Sequence, residues 1–423
     1  MGLAAAYELT KQGYPVLLFE KQAVLGGLAA SYEWQGIGLE KYYHFICLPD
    51  NVYVGLITEL GLKPKLKWRQ SKMSYFYNGE LYRWGDPLSL MAFPGLKLEQ
   101  KIRYGLNVLY SKIFSNWKKI EDRSAVDWLK SWLGEEAYEV LWKTLLDMKF
   151  WNYADEVSAA WIWSRIRRVA NSRKWLFHEY SGYLEGGTAT FIGKIAEEIK
   201  KKGGEIMISA PVTSITAVNG SVASITSGNK EYNVGAVIST IPLPEILSIK
   251  VDLPKAYRDQ IARIKNIGVV CLALLLKRPL TDNFWLNIKD PRIGLPGLIE
   301  YTNLNDSLAR QGKHLIYMPL YIDSDSPKYA QPDAEFFAEY VNWLKIIVPD
   351  LKDNDILGYK VFRDPHAQPV PEKGFTGLLP AMVSPINKLL IADTSYYFPE
   401  DRTIDQSITL GKKLAVEVIK DVL

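Results

Sequence analysis

The spacing of apolar residues changes period several times along this chain. The opening GLAAAYELTKQG places small and apolar residues at helical spacing and stops at Gly13, and residues 14–19 then form an apolar run ending on Glu20. The pattern predicts a helix, then a strand with an acid at its carboxyl end. A loop with a glycine pair, Gly26 and Gly27, follows; without a Cβ, such a pair lets backbone amides approach an anion. MSYFYNGELYRW alternates in period two, and Asn78 and Gly79 suit the positive φ angles of a type I′ hairpin turn. From Asp86 to about Lys174 the spacing of Trp, Leu and Tyr is helical and predicts an inserted helical subdomain.

Strands dominate again from the middle of the chain. After Gly186 and Gly187 the pattern predicts a helix ended by Gly203 and Gly204, a strand over 205–208, a meander turning at Asn219–Gly220 and a buried strand over 236–240. Runs at 269–276, 297–301 and 314–321 fit a mixed or antiparallel sheet, and 334–347 reads as a helix with an apolar stripe. In the tail, NKLLIADTSYYFPEDRTIDQSITLGKKLAVEVI reads as a buried strand ending on Asp393, a polar loop and a helix. With no internal repeat and no low-complexity linker, the domains are expected to be interleaved.

Composition narrows the class. At 423 residues, two closely joined domains are expected. The hydrophobic fraction of 48% with 23% charged residues is that of a folded chain. The longest apolar stretch, 268–276, is too short to span a bilayer, and no secretory segment is visible, so a cytoplasmic protein is expected, with peripheral membrane contact left open. Two cysteines and four histidines, unclustered, exclude a disulfide framework and a metal centre, and a net charge of +4 makes nucleic acid an unattractive partner. Thirteen Trp and 25 Tyr point to large planar or apolar contact surfaces.

Four separated stretches resemble one family: the strand end at Glu20, the pair Gly26 and Gly27, the passage from Gly186 to Pro242, and the strand-Asp-loop-helix of the tail. Together they are similar to the FAD-binding parts of the flavin amine oxidase superfamily, which includes protoporphyrinogen oxidases, phytoene desaturases and monoamine oxidases. The resemblance implies an α/β fold: a Rossmann-like FAD domain from residues 1–50, 181–245 and 386–423, and an α+β substrate domain from 51–180 and 246–385. It implies that Glu20 binds the adenosine ribose, that Gly2, Gly26 and Gly27 lie beside the pyrophosphate, and that the Val212 backbone pairs with adenine. It further implies Asp393 at the phosphate and ribityl end, with Ala392 where the family commonly has glycine, and the helix start at Ile404 facing the flavin's pyrimidine edge. Gly2 stands where the last glycine of G-x-G-x-x-G belongs; a preceding strand and the first two glycines are expected within about 15 codons upstream of Met1.

The implied activity is FAD-dependent oxidation or desaturation of a largely apolar or planar small molecule by hydride transfer. The alternatives are a redox-neutral enzyme resembling UDP-galactopyranose mutase and a non-catalytic binding protein. His44 is the catalytic candidate. Arg165, Arg167, Arg168, Arg173 and Lys174 are expected on a solvated helix, Trp161 and Trp163 in the core, and His366 either in a strand-end loop or approaching the flavin from the second domain.

Overall fold

The computed structural model describes residues 1–174 and 178–422; the side chains of Lys174, His178, Asp421 and Val422 lie outside the described atoms. Nine elements position the site: α1 (Gly2–Lys11), β1 (Leu17–Phe19), α2 (Leu98–Ile113), α3 (Ala159–Asn171), α4 (Gly187–Lys201), β2 (Glu205–Met207), β3 (Val237–Ser239), β4 (Leu389–Ile391) and α5 (Ile404–Val422). α1 buries Ala4, Ala5, Ala6 and Tyr7 and ends before Gly13, whose φ is 84°. The strand expected over 14–19 begins only at Leu17, because Pro15 has no N–H to donate to a ladder.

β1 pairs in parallel with β2, and β3 in parallel with β4. Parallel strands need covered faces, and α1 packs against both α4 and α5. The contact between the first and last helices is close. A Cβ on Gly411 would lie 2.6 Å from the Met1 carbonyl oxygen and 2.9 Å from the Ala4 Cβ. Gly411→Ala should therefore push the helices apart at a cost of about 1 to 3 kcal/mol, typical of overpacking, read as a lower urea midpoint with an unchanged slope.

The rest is built on a seven-stranded sheet. Its order is Ile356–Pro369, Asn266–Leu276, His314–Ile322, Gly297–Glu300, Trp285–Lys289, Met73–Tyr77, Glu80–Trp84. The sheet is mixed because Trp285–Lys289 runs parallel to Met73–Tyr77 while its other pairings are antiparallel. The predicted hairpin is the edge of this sheet, with Asn78 at φ 50° and Gly79 at φ 88°. The helix Asp333–Ile347 covers one face through Phe336, Tyr340 and Leu344. The inserted region is helical as expected, though broken into short helices around a core containing Trp128, Phe150 and Trp161.

Two expectations are corrected. α3 is not a solvated helix: Trp161, Ile162, Trp163 and Ile166 are buried and its arginines turn inward onto protein partners. His366 lies within the strand Ile356–Pro369, not in a loop, and is close enough to Asp393 to act on it electrostatically.

Candidate functional site

The residues expected to hold a dinucleotide gather at strand ends, where the chain leaves the sheet and side chains are free of the ladder. Asp393 lies just beyond β4, after Ala392, and is buried. Its Oδ1 accepts from the Ser395 amide and its Oδ2 from the Leu243 amide, both at 2.8 Å. Burial pushes its carboxyl upward and those two amides pull it back. Beside it, the Ala392 amide donates to the Ser239 carbonyl at 3.0 Å, and a Cβ on Gly2 would stand 2.9 Å from Oγ1 of Thr240. Gly2, the end of β3 and Asp393 thus share one corner.

Glu20 closes β1. Its amide donates to the Met207 carbonyl and its carboxylate accepts, among the described residues, only the Gln22 amide, at 2.8 Å. Val212 packs in one cluster with Phe19, the residue before Glu20. Gly26 and Gly27 both have positive φ, 117° and 58°. A Cβ on Gly26 would meet Cδ1 of Ile192 on α4 at 2.6 Å, so only glycine lets this loop lie on that helix. Ile404 opens α5 and packs with Leu3 of α1 and Phe191 of α4, while Thr403 Oγ1 accepts the Gln406 amide at 3.0 Å as a cap. The structure therefore brings Gly2, Asp393 and Ile404 together around α1, and Glu20 with Val212 beside β1.

His44 lies with Glu40, which sequence reasoning missed. Glu40 ends the strand Ile37–Glu40 and is buried; Oε1 accepts from the Thr188 amide at 2.8 Å and the Tyr301 hydroxyl at 3.2 Å, and Oε2 faces His44 Nδ1 at 3.4 Å. The small cavity they line with Tyr53 is about 10 Å³, room for roughly one water. An acid closing an otherwise apolar strand, IGLE, was the available signal.

A second missed group sits where the helical insertion, the large sheet and the tail meet. Asp401 Oδ2 takes both Arg165 Nη1 at 3.0 Å and Lys149 Nζ at 3.3 Å. Arg402 donates through Nε to Gln368 Oε1 at 2.8 Å, through Nη2 to the Tyr321 hydroxyl at 2.9 Å, and through Nη1 to the Ala367 carbonyl. Lys149 Nζ also lies over the rings of Trp161 and Tyr321, 4.9 and 5.1 Å from their centroids. Burial pulls the Lys149 ammonium down to about 7, and the cations around Asp401 hold its carboxyl well below the usual carboxylate range. Beside this cluster an open cleft of about 300 Å³ is lined by Trp151, Tyr153, Ile267 and Ile322, with Asn152, Asp323, Asp325 and Ser326 at its polar side. Trp151 Nε1 donates to the Tyr321 carbonyl, tying the cleft wall to the strand that carries Tyr321. Among the described residues no His, Cys, Asp and Glu set could hold a metal ion.

Comparison with known proteins gives one family. The family model described as flavin containing amine oxidoreductase matches residues 2–418. The 15-cis-phytoene desaturase of Synechococcus elongatus is 24% identical over 319 residues, 66% of this chain and 64% of that protein, so the match spans just under two thirds of that relative. In fold, the chain is similar to an oxidoreductase from Methanosarcina mazei, with a TM-score of 0.76, 19% identity and coverage of 98% and 97% of the two chains. It is also similar to cyclohexylamine oxidase from Brevibacterium oxydans, with a TM-score of 0.73, 16% identity and coverage of 99% and 96%.

Proposed function

Because the chain belongs to the flavin-containing amine oxidoreductases, we propose that it oxidises or desaturates a largely apolar or planar organic molecule by hydride transfer to FAD. The observation that carries this reading is the cleft of about 300 Å³, walled by Trp151, Tyr153, Ile267 and Ile322 and linked through Trp151 and Tyr321 to Lys149 and Arg402. Such a cleft offers aromatic and aliphatic surface to a flat or apolar substrate on one side and polar groups on the other. Bound FAD would supply the hydride-accepting ring, which is chemistry no side chain offers.

The residues at the strand ends fit that cofactor. Glu20 has carboxylate lone pairs left for ribose hydroxyls, since only one amide occupies it. Gly2, Gly26 and Gly27 present backbone without side chains, and the Gly26 conformation leaves no room for a Cβ. Val212 offers its backbone to the adenine, and Asp393 retains acceptor capacity beyond its two amides for a ribityl hydroxyl. The start of α5 at Ile404 would offer a positive dipole end to the pyrimidine edge. Lys149, balanced near neutral pH, can hold or release a proton at Nζ, and His44, faced by Glu40, is the second proton-handling group. On this reading residues 1–50, 181–245 and 386–423 hold the cofactor and 51–180 and 246–385 the substrate.

Protein loaded with FAD should absorb near about 450 nm, and the flavin should bleach under anaerobic substrate while the product gains a double bond. Glu20→Ala should weaken FAD by about 1.5 to 3 kcal/mol for each charge-assisted bond lost, with little change in unfolding midpoint. Unchanged flavin affinity would remove Glu20 from the site. Turnover that requires prior flavin reduction and yields no net oxidation would replace this reading with the mutase-like one.

A further inference from the structure

α2 is amphipathic the wrong way round for a helix of a free-standing protein. Asn107 and Ser111 are fully buried on its inner side, whereas Leu98, Ile102, Leu106, Leu109 and Ile113 are 52 to 72% exposed. At 100° per residue these five fall within an arc of about 80°, and the helix is about 24 Å long. The short helix Pro87–Ala92, packed against α2, extends the patch with Leu88 and Met91. Single exposed leucines are ordinary, but a contiguous ridge of seven large apolar side chains marks a surface meant to be covered.

The charge around the ridge selects what covers it. Residues 86–122 carry Lys97, Lys101, Arg103, Lys112, Lys118 and Lys119 against Asp86, Glu99, Glu121 and Asp122, and Lys97 and Arg103 pair with Glu136 and Glu99. Lys112, Lys118 and Lys119 are exposed and have no acidic partner among the described residues. An apolar ridge flanked by unpaired lysines matches an anionic bilayer surface, where the side chains enter the acyl boundary and the ammonium groups meet phosphate. No helix among the described residues is long and apolar enough to cross a membrane, so the contact is a lying one.

We infer that the face built on α2 and Pro87–Ala92 docks this protein on anionic lipid membranes. The test is flotation of the full chain with vesicles of equal parts phosphatidylcholine and phosphatidylglycerol, and with phosphatidylcholine alone, with size-exclusion chromatography of the same samples. The chain should float with the mixed vesicles and float several-fold less with the neutral ones. The variant Ile102→Ser with Leu109→Ser, at exposed positions, should lose roughly tenfold in recovery, and Lys118→Gln with Lys119→Gln should flatten the dependence on lipid charge. Wild-type protein that stays at the bottom of the gradient with both vesicles would overturn the inference. So would a wild-type dimer that the Ile102→Ser, Leu109→Ser variant converts to monomer, because the ridge would then belong to a second copy of the chain.

Discussion

Asp401→Asn should destabilise the protein by about 3 to 5 kcal/mol, the usual cost of leaving buried cations without their counter-ion. Lys149 and Arg165 both rest on one oxygen of Asp401, and Lys149 is buried against Trp161 and Tyr321, so the lost carboxylate leaves its ammonium without a counter-ion. Urea denaturation checks this, and adding Lys149→Met should return part of the loss, since one of the stranded charges goes with it. A loss below about 1 kcal/mol for Asp401→Asn alone would mean that the cluster is solvated. The pH dependence has two parts. Asp401 is depressed in the folded state, so its contribution is present above the unfolded carboxylate value and is lost as pH falls towards the folded one. Lys149 is depressed to about 7, so above that pH the unfolded chain binds a proton that the folded chain has released, and its contribution makes stability rise with pH up to the ordinary lysine value.

Asp393→Ala should have the second largest effect, and it should strike both fold and cofactor. Its two carboxylate oxygens satisfy the buried amides of Leu243 and Ser395, each worth about 1 to 3 kcal/mol when orphaned. Expected from the sequence as a cofactor residue alone, Asp393 is also the clamp that joins the end of β4 to the turn after β3. Asp393→Asn separates the roles: its amide oxygen can still accept one N–H, so most stability should return, measured by thermal unfolding of flavin-free protein. FAD affinity, measured by fluorescence quenching, should stay weak. Full FAD affinity in Asp393→Asn would show that the carboxylate's charge does not matter to the cofactor.

The local signals in the sequence were reliable where one element's own periodicity decided the outcome. α1, the end of β1 at Glu20, the Asn78–Gly79 hairpin and the strand ending before Asp393 all lie where their spacing put them. The cluster around Asp401 was invisible for the opposite reason. Lys149, Arg165, Gln368 and Asp401 come from distant stretches, and nothing in any one stretch says that the others will face it. Arg165 and Arg168 show how this misleads. Three residues apart on one helix they resemble a solvated face, yet one meets Asp401 and the other Asp50, both supplied from far away in the chain. The reversed face of α2 was legible in principle, since its leucines and isoleucines recur at helical spacing, but periodicity cannot tell whether such a stripe points to the core or away from it.

The packing of α1 against α5 through Gly411 also bears on how the protein is made. The first helix leaves the ribosome about 400 residues before its partner, which at 5 to 20 residues per second is a wait of roughly 20 to 80 s. During that interval α4 can cover the side of α1 that carries Tyr7, but the side of Ala4 and Ala5 that meets Gly411 stays open. The contact between α1 and α5 therefore forms only once residues 404–411 have been made, long after α1 itself.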